Sequence, residues 1–147
     1  MQYKNIFIAL FLTVLAGCSS QAEKIPANQS SSEITILPSE EVFVSAELVD
    51  GKIENVARVP KNVNPNQTIV FKFEKSDMGM MLSVKNPFPV PIKYHINMID
   101  AKGNPHQTSS CPAIAKGGAF ENWPHPIPQL SISNIHVIEG GNFNCVY

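Results

Sequence analysis

Long apolar runs, blocks of like charge and catalytic signatures are all scarce in this 147-residue chain, and each shortage closes off a class of function. The N-terminal apolar stretch, Ile6 to Leu15, is broken only by Thr13. It is about half the roughly 20 residues that a membrane-spanning helix requires. Charged residues make up only 16% of the chain, with 11 basic, 12 acidic and a formal net charge of −1. A near balance without runs of one sign argues against nucleic acid or an acidic polymer as partner. There is no Gly-x-Ser-x-Gly, no phosphate-cradling glycine loop and no His-Glu-x-x-His, so nucleophilic, nucleotide and zinc-hydrolase chemistry lack their usual carriers. The expectation is a protein that is not an enzyme and has no cofactor. Cysteine is limited to three residues and tryptophan to one, which leaves few side chains to place.

What is present begins with a junction. Lys4 precedes the apolar stretch, and the small residues of Leu15-Ala16-Gly17 lead into Cys18. This arrangement resembles the lipobox of bacterial lipoprotein precursors, in which the cysteine thiol is acylated and the chain is cut just before it. The resemblance implies a signal peptide over residues 1–17, a lipid on Cys18 and attachment to the bacterial envelope. It also implies the outer membrane, facing the periplasm, because the residue after the cysteine is Ser19 rather than aspartate. One acyl chain binds a membrane marginally and two or more bind it stably; the family adds at least a diacylglyceryl group. Residues 18–32 are polar and serine-rich with no apolar period, and are expected to be a flexible lipidated tether. A coil of that length spans roughly 20 Å on average.

Removing residues 1–17 leaves Cys111 and Cys145 beside the acylated thiol. An even pair in an oxidising compartment is expected to form a disulfide. A metal pair is disfavoured because neither His106 nor His136 lies at ligand-like spacing from the cysteines.

From Glu33 to Tyr147 the apolar period is two, with 12 prolines across the chain and no convincing helical stripe. Ile34 and Ile36 form a first short strand. Val42, Val44 and Ala46 form a second, ending at the turn pair Asp50-Gly51. A weaker strand runs over Val56 to Val59, followed by a loop at Asn62–Asn66. Ile69, Phe71 and Phe73 alternate, as do Met80, Leu82 and Val84. The clearest alternation is Val90, Ile92, Tyr94, Ile96 and Met98, which predicts a half-buried antiparallel strand. Shorter strands are expected at Ile127–Ile132, Ile135–Ile138 and Phe143–Tyr147. Seven to nine short strands in residues 33–147 predict one all-β domain, an antiparallel β-sandwich of immunoglobulin-like or similar type. Residues Val84 to Tyr94, with Asn86-Pro87 and a proline-rich kink, resemble part of the water-stress (late-embryogenesis type) β-sandwich domain. That likeness covers about a dozen residues and speaks to fold.

Three groups of side chains are candidates for function. Met78 and Met80, two apart on an expected strand, would point to one side, and thioethers select Cu(I). With a histidine they resemble the ligands of periplasmic copper carriers, the alternative function. The competing reading puts Met80 in the core with Leu82 and Val84. Trp123 and His125 lie in Glu121–Pro128, where prolines at 124, 126 and 128 impose an extended path. Trp123 is then either a partner contact or a plug at one end of the sandwich. The four histidines share no ligand-like spacing and are read as surface residues. The leading expectation is a lipid-anchored binding or structural module that docks onto another envelope protein.

Overall fold

Alternating apolar residues on short strands give each sheet one apolar face, and laying two such sheets face to face buries both, as the chain does. The computed structural model describes residues 33–140 and 143–145. Within them are nine strands: β1 (Ile34–Ile36), β2 (Glu40–Val49), β3 (Lys52–Val59), β4 (Thr68–Ser76), β5 (Gly79–Lys85), β6 (Ile92–Ile99), β7 (Pro105–Thr108), β8 (Gly118–Trp123) and β9 (Gln129–Val137). One sheet has the order β1-β9-β6-β7 and the other β3-β2-β4-β5-β8, with every pairing antiparallel. The protein is a β-sandwich. Residues 1–32, which hold Cys18 and the lipobox-like junction, lie outside the described residues.

The inward series are those the alternation predicts. Val42, Val44 and Ala46 meet Ile69, Phe71 and Phe73 within one sheet, facing Ile92, Tyr94 and Ile96 of the other, all buried. Each fully buried Ile, Val or Phe side chain contributes about 1.5–3 kcal/mol. Phe71 stands edge-on to Tyr94 across the two sheets, their ring centres 5.6 Å apart. Asp50 and Gly51 both take positive φ, 48° and 77°, as a two-residue turn of type I′ requires.

Each flank of the sandwich carries contacts between the outermost strands. On one flank the Arg58 guanidinium of β3 donates to the Thr35 carbonyl of β1 at 2.8 Å and pairs with Glu40. On the other, the Trp123 indole of β8 donates to Thr108 Oγ1 of β7 at 3.2 Å.

Three strand expectations are corrected. β6 begins at Ile92, not Val90, because Pro89 and Pro91 have no N–H to give a ladder and the Val90 carbonyl is taken by Asn86 Nδ2 at 2.8 Å. The two strands expected over Ile127–Ile132 and Ile135–Ile138 are the single β9, interrupted by a bulge. Residues 143–145, the described part of the expected last strand, lie outside any strand.

Candidate functional site

Cys111 and Cys145 are joined, with their Cα atoms 4.2 Å apart. The bond ties the segment after β9 to the one between β7 and β8. Lys93 of β6 adds to it, its ammonium donating to the Asn144 carbonyl at 3.1 Å.

The methionine site does not assemble. Met78 sits in the turn before β5 and is 71% exposed, whereas Met80 is 6% exposed within the core. The rule that residues two apart share a side holds only inside a strand, and β5 begins at Gly79. Gly79 has φ +125° and lies so close to the Trp123 carbonyl that a Cβ would collide with it. The chain turns there, and Met78 and Met80 part.

Trp123 corrects the partner-contact reading. It is 7% exposed and stands edge-on to Phe73, ring centres 6.4 Å apart. It ends β8 opposite Met80 and plugs the core. The extended path set by prolines starts only at Pro124, so Glu121, Asn122 and Trp123 are free to join a ladder. His125 is exposed between Pro124 and Pro126, themselves exposed, while Ile127 is buried. The segment after β8 therefore exposes Pro124, His125 and Pro126 between the buried Trp123 and Ile127.

Two polar features inside the sandwich have no sequence signal. Glu121 points inward from β8 and is buried, and its carboxylate accepts from the Cys111 N–H. Burial raises its pKa above the usual glutamate range, against the opposing pulls of the Cys111 N–H and the Lys93 charge. Tyr94 Oη is the one buried side-chain polar atom without a partner among the described residues. Burial, and then the Glu121 charge, raise its pKa.

The histidines are placed unequally. His106 lies on β7 and pairs with Asp100 at 3.1 Å. His95 of β6 and His136 of β9 are brought together, ring centres 6.4 Å apart. Their separation in sequence hid this, and only the β6–β9 register discloses it. Among the described residues no group of three or more His, Cys, Asp or Glu side chains is placed to hold a metal ion.

Compared with known proteins, the chain matches no family model, no curated protein and no solved structure.

Proposed function

We propose that this protein is a lipid-anchored envelope lipoprotein that acts as a non-enzymatic binding or structural accessory module, held at the outer membrane and facing the periplasm. The observation that carries the reading is the apolar Ile6–Leu15 stretch leading through Leu15-Ala16-Gly17 into Cys18. The Cys111–Cys145 bond supports it, since structural disulfides persist in the oxidising compartments outside the cytoplasm. The polar, serine-rich composition of residues 18–32 supports a tether that lets the domain meet a neighbour beyond the bilayer surface.

On this reading the partner is another envelope protein, and the exposed Pro124-His125-Pro126 connection is the contact. Its prolines restrict the backbone before binding, which lowers the ordering cost of association. Two experiments test the parts separately. Cys18→Ser should leave an unprocessed chain that takes up no lipid label; normal processing and labelling would refute the anchor. A photo-crosslinker at position 125 should capture one discrete envelope protein, and the same probe at Val63, exposed in the loop between β3 and β4, should not. Equal capture at both positions would refute the contact.

A further inference from the structure

One extra residue in β9 brings two distant histidines together. β6 and β9 pair with Lys93 opposite His136 and then His95 opposite Ser133, the register shifting between them. Asn134 absorbs the shift with φ +49°, a conformation asparagine tolerates better than most residues. The His95 and His136 rings stand nearly perpendicular, at 83°.

Asn134 also links the two imidazoles. Its carbonyl accepts from His136 Nδ1 at 2.8 Å, which leaves the His136 lone pair on Nε2. Its side-chain Nδ2 donates to His95 Nε2 at 3.3 Å, so His95 likewise carries its lone pair on Nε2. A ring N–H given to a backbone carbonyl is the outer contact that orients metal-bound histidines. On neighbouring strands, His136 thus has its Nε2 lone pair outside the Asn134 bond, and His95 has its Nε2 lone pair held by the Asn134 amide alone. Imidazole nitrogens of this kind are donors that zinc and copper(II) accept.

We propose that His95 and His136 form an open two-histidine site for a borderline divalent cation, Zn²⁺ or Cu²⁺, with the Asn134 amide oxygen as third donor. Two imidazoles bound to one ion at about 2.1 Å have ring centres roughly 5 Å apart. Loading therefore draws the rings together by side-chain rotation, without a change of register, and turns the Asn134 amide over. No third His, Cys, Asp or Glu completes the set among the described residues, and Lys93, opposite His136, adds a like charge. The site is thus exchangeable rather than structural. It shares no residue with the Met78/Met80 arrangement and does not depend on the lipid anchor.

The test is a zinc titration of the metal-free full-length chain, followed by calorimetry and by imidazole ¹H–¹⁵N spectra. The expected result is one ion per chain, with His95 and His136 signals moving together and those of His106 and His125 unmoved. His95→Gln and His136→Gln should each weaken binding by at least about tenfold, with the circular dichroism spectrum unchanged. Lys93→Gln should tighten binding a few-fold by removing the like charge. No saturable binding at millimolar zinc, or binding undiminished in the double variant His95→Gln/His136→Gln, overturns the proposal.

Discussion

Tyr94 and Glu121 show how much a single polar atom counts inside this sandwich. A buried hydroxyl without a partner loses its water and gains no bond in return, a cost of about 1–3 kcal/mol for such a group. Tyr94 Oη is in that position, while its ring keeps the edge-on contact with Phe71. Tyr94→Phe should therefore leave stability unchanged or raise it by up to about 1 kcal/mol, read as an equal or higher denaturation midpoint at constant slope. A clear loss would mean that the hydroxyl has a partner. Glu121 makes a prediction about pH. Because burial raises its folded-state pKa, the native protein holds this proton more tightly than the unfolded chain. Its contribution to stability is fully present below the unfolded pKa and is lost as pH rises through the folded one. Glutamine keeps an oxygen for the Cys111 N–H and carries no charge to bury. Glu121→Gln should accordingly raise the melting temperature near neutral pH and leave it little changed in acid. The prediction fails if wild type and variant keep a constant difference in melting temperature across pH.

At the scale of elements, the passage from β5 to β6 depends on one asparagine. Asn86, buried, donates through Nδ2 to the carbonyls of Val90, Ala113 and Ile114 at 2.8, 3.2 and 3.0 Å, and accepts from the Phe88 N–H at 2.9 Å. It thereby holds the proline-rich crossover between sheets against the segment leading into β8. Asn86→Ala would strand several of these groups and should cost about 2–3 kcal/mol in chemical denaturation; a change under about 0.5 kcal/mol, the range of an ordinary surface substitution, would contradict the bonding described. The sequence disclosed the strands on either side because each presents apolar residues at every second position, Met80, Leu82 and Val84 in β5 and Ile92, Tyr94 and Ile96 in β6. It concealed β8 because there the pattern is inverted: Phe120 is 72% exposed while Glu121 is buried. β7 escaped notice because it is a short, polar strand at a sheet edge, opened by Pro105. The Met78/Met80 reading failed on one residue of register, since the turn at Gly79 decides which methionine belongs to the strand. The His95–His136 pair was beyond local spacing altogether, because a long-range register shift creates it.

For the whole molecule, the question is what keeps the end of the described chain on the sandwich. After β9, the Ile138 N–H donates to the Pro91 carbonyl at 3.1 Å, and Asn144 accepts from Lys93. The described residues 139–140 and 143–145 lie outside the strands, and the covalent tie is the bond from Cys145 to Cys111. The two cysteines are 34 positions apart. Closing a loop of that size removes unfolded-state freedom equivalent to about 3–4 kcal/mol. Its effect reaches past the chain end, because Cys111 also presents its N–H to Glu121 and so couples the tie to β8. Reduction, or the double variant Cys111→Ser/Cys145→Ser, should lower the free energy of unfolding by about 3–4 kcal/mol. Hydrogen exchange should rise first in β8 and in residues 138–140 and 143–145, while β2 and β4, central in their sheet, hold their protection until global unfolding. Uniform acceleration across both sheets would mean that the bond acts only on the unfolded chain, and an unchanged unfolding free energy would show that the cross-link contributes nothing.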